Sequence, residues 1–198
     1  MKVYASILIF ILVFNSCMER KKNGSCDSTA HVRYRNLNFQ FPITGKEVAE
    51  KGTGVIRNIP TYIRTDFPKD HGSVNWYFDY SQNKVNTADT TRYLAKAAIY
   101  GATVFLDREA DKSDQDIIDE LQKVYPGKFV HSKNPDYPYY IFTDGCLSII
   151  LRRLLVAKAN SVNAANIPTV SFCYGLSGSE LTNYAKSPGH LGNRLGIN

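Results

Sequence analysis

Residues 139–151 read Tyr-Tyr-Ile-Phe-Thr-Asp-Gly-Cys-Leu-Ser-Ile-Ile-Leu. Two β-rich runs, 139–143 and 146–151, flank Asp144-Gly145, a dipeptide that between apolar runs signals a two-residue hairpin turn. The second run continues into a Leu-rich stretch, so 147–159 also fits an amphipathic helix with Arg152, Arg153 and Lys158 outward. Read as a strand, it makes the last third of the chain mostly sheet, because 168–174 (PTVSFCY) is a further apolar run.

Upstream, 31–41 alternates apolar and polar residues, with Val32, Tyr34, Leu37, Phe39 and Phe41 apolar, and predicts a half-buried strand with one slip near Asn36. Pro42 ends it, and a short helix fills 45–51 before Gly52. Residues 54–64 predict an edge strand or two short ones, since Pro60 cannot donate to a ladder. After a loop over 65–72, Val74, Trp76, Phe78 and Tyr80 alternate with Asn75, Tyr77 and Asp79 as a strand. A helix is expected over 89–100, closed by Gly101 as a left-handed cap, then a short strand over 102–106. Ser113 caps a second helix, 114–125, with Ile117, Ile118, Leu121 and Val124 at helical spacing. Residues 160–166 read as a loop and 179–186 as a last helix. The pattern predicts one α+β domain over 31–186, a mainly antiparallel sheet with two or three helices packed on it.

Composition agrees with a single domain: 198 residues, 43% apolar, 21% charged, with 24 Lys+Arg against 18 Asp+Glu. A mean hydropathy of -0.28 excludes a multi-span membrane protein. The net charge of +6 would ordinarily raise nucleic acid as a partner, but the N-terminus argues for export away from it.

Met1-Lys2 gives a short positive start, 5–14 (ASILIFILVF) is an unbroken apolar run, and Asn15-Ser16 precede Cys17. That is the three-part layout of a secretory signal over 1–16, too short to span a bilayer and followed by Glu19, Arg20, Lys21 and Lys22. Val13-Phe14-Asn15-Ser16-Cys17 resembles the lipobox of bacterial lipoproteins: Ser16 fits the small residue before the cut, while Phe14 and Asn15 depart from the usual letters. The resemblance implies acylation of the Cys17 thiol and a lipid anchor, whose chains contribute about 0.8 kcal/mol per buried methylene. Met18, rather than Asp, implies the outer membrane by analogy, on its periplasmic leaflet. Residues 17–30 then form a lipid-anchored tether, in which Arg20-Lys21-Lys22 can touch anionic head groups, and 187–198 a flexible tail.

With Cys17 lipidated, Cys26, Cys146 and Cys173 remain, an odd number that leaves one bond and one spare thiol. Cys26 lies in a polar tether stretch and is expected unpaired. Cys146 and Cys173 end two apolar runs that would bring them together if paired antiparallel; the alternative is two buried reduced thiols.

Catalytic patterns are incomplete. The tract 107–111 begins like a calcium loop, but Lys112 and Ile118 stand where an EF-hand needs Gly and Glu. Gly175-Leu176-Ser177-Gly178-Ser179 has Ser179 where a nucleophile elbow needs Gly, so a helix-capping loop is the better account. His31, His71, His131 and His190 have no metal-ligand spacing, and no cofactor motif is present. An enzyme would need scattered residues such as Asp79, Glu109 and His131.

Aromatic content is high, with 13 Tyr, 10 Phe and one Trp. Trp76, Tyr77 and Tyr137 are the candidates for stacking on sugar rings or anchoring a protein, with core filling as the alternative. The sequence therefore predicts a non-enzymatic, lipid-anchored periplasmic protein without cofactor or metal. Its partner is expected to be a protein, as for an immunity-type protein neutralising an envelope-acting toxin; the alternative is a carbohydrate or peptidoglycan binder.

Overall fold

In a computed structural model of the chain, residues 26, 28–51, 56–59, 62–67, 72–78, 98–132, 134, 137–157 and 164–186 are described. The expected signal and most of the tether (1–25), the helix over 89–97, residues 79–80 and the tail over 187–198 lie outside them.

Gly145 has φ 54, and Leu147 pairs with Asp144, so the loop of the quoted hairpin is Gly145-Cys146, one residue later than the Asp-Gly signal suggests. Glycine stands at the first loop position, where a type II′ turn favours it. The Leu-rich continuation is strand: β10 (Leu147–Ala157) pairs with β9 (Tyr139–Asp144) on one side and β11 (Ala164–Tyr174) on the other. Strand wins over helix because Leu147, Ile149 and Leu151 point to one face and Ser148, Ile150 and Arg152 to the other, and both faces are covered.

Two antiparallel meanders meet in one nine-stranded sheet. The first is β4 (Ile56–Ile59), β5 (Tyr62–Phe67), β6 (Gly72–Phe78) and β7 (Ala98–Phe105); the second is β8 (Val130–His131) through β11, and β11 closes on β7. The short β3 (Ile43–Thr44) pairs with the start of β7. The expected edge segment thus holds two short strands, β4 and β5, the second extending into the expected loop.

The strand expected over 31–41 is instead a hairpin, β1 (Ala30–Tyr34) and β2 (Leu37–Phe41), turning at Arg35-Asn36. The slip in alternation near Asn36 was the turn itself. A second sheet of two strands results, and its inward Val32, Tyr34, Phe39 and Phe41 pack on the first face of the large sheet against Trp76, Phe172 and Tyr174. Full burial of each such side chain contributes about 1.5–3 kcal/mol. The Tyr125 hydroxyl accepts from Arg33 N at 2.8 Å and donates to Arg33 O at 3.2 Å, closing an outer edge of the hairpin.

Three helices lie among the described residues: α1 (Gly45–Lys51), α2 (Asp114–Gln122) and α3 (Gly178–Lys186). α2 lays Ile117, Ile118 and Leu121 on the first face; α3 covers the second with Tyr184 and Ala185. The α+β class follows, with further corrections to single elements: α2 stops at Gln122 rather than 125 and leaves Val124 exposed, and β11 begins at Ala164, inside the expected loop over 160–166. Residues 98–101 belong to β7, and Gly101 is no helix cap. A Cβ at Gly101 would lie 2.8 Å from the Tyr184 hydroxyl oxygen, so glycine is there because the Tyr184 ring rests on the strand.

The expected Cys146–Cys173 bond does not form. Ser148 pairs with Cys173, which leaves Cys146 in the turn beyond the ladder, while Cys173 points to the second face and is fully buried. Cys146 is bonded to Cys26, the residue expected to be unpaired, and Cys173 is the free thiol. The tether therefore ends at Cys26.

Candidate functional site

The two ends of the sandwich differ. At one end lie Cys26, the β9–β10 turn and Tyr174; at the other, the tip of the β1–β2 hairpin meets the ends of β6 and β7.

That tip is built on Arg35, a non-glycine residue at φ 52 in the first turn position. An L side chain in this region costs of order 1–3 kcal/mol, and here Arg35's bonds offset it. Arg35 Nε donates to Glu120 Oε1 at 2.8 Å and Nη2 to Glu120 Oε2 at 3.1 Å, while Nη2 reaches Glu109 Oε2 at 2.8 Å and Nη1 bonds Glu109 Oε1. Lys112 Nζ completes the cluster, 2.9 Å from Glu120 Oε2 and 3.3 Å from Glu109 Oε2. The guanidinium also lies 5.1 Å from the centroid of the Tyr34 ring. Helix α2 brings Glu120 here because Ser113 and Asp116 form a capping box at its start, and Arg153 Nε anchors the same start through Asp114 at 2.7 Å.

The Arg35 hydrogen bonds hold the Glu109 carboxyl below the ordinary range. Burial pushes Glu120 upward, but the bonds from Arg35 and Lys112 outweigh it and its carboxyl is also held low. Two acids and two bases that pair with one another join Arg35 of the hairpin to Glu120 of the helix, so the cluster acts as a staple between them. Depressed carboxyls add stability above their unfolded value of 4.5, and that stability is lost as pH falls through the folded values. Glu120→Gln should therefore cost about 1–2 kcal/mol at neutral pH. Urea titrations of wild type and variant should keep their gap down to the ordinary glutamate value and converge as pH falls further, through the depressed folded values; a gap that stays constant through that lower range would contradict the staple.

Beside the staple is an apolar cleft of about 30 Å³, lined by Tyr34, Arg35, Asn36 and Leu37 of the hairpin and by Gly72, Val74, Val104 and Leu106 of the sheet. The Tyr34 hydroxyl is buried beside these groups, and among the described residues nothing accepts its proton. Burial raises its pKa and keeps it protonated. The cleft can take a small aliphatic group, since its lining is apolar.

The second face is polar where α3 covers it. Thr103 Oγ1 lies 2.8 Å from Ser171 Oγ and 2.9 Å from the Tyr184 hydroxyl, all buried. Buried Arg152 bonds the C-terminal carbonyls of α3, those of Ala185 and, at 2.9 Å, Lys186. That is where a cation complements the helix dipole.

The aromatic candidates do not come together. Trp76 is buried on the first face, its indole N–H donating to Thr65 Oγ1 at 2.9 Å; Tyr77, next in the strand, is buried on the second face against Tyr184. Alternation along β6 puts them on opposite sides of the sheet, and neither presents a ring for stacking on a sugar. Tyr137 is half-buried, with Lys186 Nζ 5.7 Å from its ring centroid. Of the scattered catalytic candidates, Glu109 is bound into the staple, His131 in edge strand β8 makes a tilted ring contact with Tyr140 of β9, centroids 4.7 Å apart, and Asp79 lies outside the described residues. Ser177 is the capping-loop residue anticipated, its backbone N–H donating to Glu180 at 3.3 Å. Among the described residues no group of three His, Cys, Asp or Glu is arranged to hold a metal.

The Arg35 staple was missed because its partners stand 74 and 85 residues away and Arg-Asn is not a marked turn pair. The pattern Ser-x-x-Asp at 113–116, with Thr-x-x-Glu at 44–47 and Ser-x-x-Glu at 177–180, was a readable signal for all three helix starts. Compared with protein-family models, curated proteins and solved structures, the chain matches none of them.

Proposed function

We propose that this chain is a lipid-anchored, non-enzymatic protein of the bacterial periplasm, attached to the outer membrane through Cys17, whose domain binds a protein partner. Within that class we favour an immunity-type role, neutralising a toxin that acts in the envelope. The observation that carries the reading is the Cys26–Cys146 bond, formed nine positions after Cys17. Structural disulfides persist in oxidising compartments, so the bond supports the export that the first 17 residues imply.

The cleft at the hairpin tip is the surface offered to the partner. Its apolar lining suits the tip of an aliphatic side chain, which would fill the cleft and exclude water there. The glycan alternative is left with Tyr137 alone, since Trp76 and Tyr77 are buried.

Labelled palmitate should enter wild type and not Cys17→Ser; equal uptake would sink the anchor. Wild type should retain one envelope protein in stoichiometric amount, and Leu37→Lys, at the cleft, should reduce retention at least about tenfold while staying folded by circular dichroism. Recovery of glycan without protein, or undiminished retention by Leu37→Lys, would overturn the binding reading.

A further inference from the structure

We infer that the contacts around Cys26 turn one particular end of the domain toward an anionic bilayer and present the hairpin-tip cleft away from it. This rests on the lipid anchor proposed above and adds the orientation of the domain on that anchor.

The exit of the leash is fixed by more than the disulfide. The Tyr174 hydroxyl shares its proton between Cys26 O at 2.9 Å and Ser28 O at 2.8 Å, and the Ser28 hydroxyl lies 3.2 Å from Cys146 Sγ. Tyr174 is itself held by its ring, stacked on Phe41 with centroids 5.4 Å apart. Covalent bond, hydrogen bonds and core packing thus pin the chain at one point, beside the β9–β10 turn.

The nine residues from Cys17 to Cys26 can span at most about 30 Å, the limit set by backbone geometry. β10 and β11 run 11 residues each away from the pinned point, about 36 Å. The domain is therefore longer than the greatest reach of its leash, and an end-for-end reversal would carry the pinned point beyond the roughly 30 Å that nine residues can span. Arg20-Lys21-Lys22 shorten the effective leash further, at about 1 kcal/mol per basic residue near an anionic surface. The start of α3, including exposed Ser179, then faces the lipid. Leu155, 76% exposed on the far half of β10, and the Arg35 staple face outward.

The test uses the lipidated full chain in vesicles of phosphatidylethanolamine and phosphatidylglycerol. A donor dye is placed on Ser179→Cys or, separately, on Leu155→Cys, with acceptor dye on the lipid headgroups. Buried Cys173 should stay unlabelled. Energy transfer from position 179 should exceed that from 155 by at least about twofold, and high salt should narrow the ratio by releasing the basic leash. Equal or reversed transfer from a chain that floats with the vesicles would overturn the orientation alone. A chain that neither floats nor takes up palmitate would overturn the anchor, and the orientation with it.

Discussion

Replacing Cys26 and Cys146 together by Ser should lower the unfolding free energy by about 3–5 kcal/mol, the largest loss expected from any surface change in this molecule. The bond joins residues 120 apart, and closing so long a loop in the unfolded chain removes entropy equivalent to about 5 kcal/mol when no residual structure intervenes. Both cysteines are changed so that no stray thiol attacks another. Urea unfolding of oxidised wild type and the double variant measures the difference, and a loss under about 1 kcal/mol would mean that the unfolded chain is already compact at this point. Digestion of unreduced protein checks the pairing: one peptide should link Cys26 to Cys146. Cys173 should resist alkylation until the protein is denatured, because it is fully buried and burial pushes its thiol pKa up. A Cys146–Cys173 link would refute the assignment.

The cysteines also show where sequence reading stops. The hairpin over 139–151 and the strand over 168–174 were legible because alternation reports which residues share a face. Disulfide pairing depends on register to a single residue, and a shift of one moves Cys173 from the sheet end to the opposite face. Helix α2 was legible for a local reason, since its cap and its apolar spacing lie within ten residues. Residues 98–101 were misread for a non-local one: Ala, Ile, Tyr and Gly suit a helix end, and only Tyr184, 83 positions away, makes Gly101 a strand residue. The irregularity between β6 and β7 adds to this. Tyr77 pairs with Gly101 but Phe78 with Ile99, so Tyr100 is extra in the ladder and joins the second-face cluster, which breaks the alternation that would have revealed a strand. The aromatic candidates failed by the same logic in reverse: alternation correctly placed Trp76 and Tyr77 on opposite faces, but whether both faces are covered depends on elements far along the chain.

Tyr184 carries the second large effect. It is fully buried, makes edge contacts with Tyr77 and Tyr100 at centroid distances of 5.7 and 6.2 Å, and fills the space above Gly101. Tyr184→Ala should cost about 3–5 kcal/mol, the range for emptying an aromatic site that cannot collapse, since sheet strands form its floor. Tyr184→Phe keeps the ring and should cost only about 1–2 kcal/mol, because Thr103 and Ser171 still bond each other at 2.8 Å. The Ala variant should also loosen α3, whose C-terminal carbonyls then lean on Arg152 alone, and make Cys173 open to alkylation under native conditions. The Phe variant should leave Cys173 protected. Equal stability losses in the two variants would place the energy in the hydroxyl rather than in the ring. An Ala variant that keeps Cys173 closed would show that α3 holds the second face without its tyrosine. The distinction matters for the orientation argued above, since the start of α3 lies at the end proposed to face the lipid, and Tyr184 shares with Ala185 and the Arg152 bonds the task of fixing that helix to the sheet.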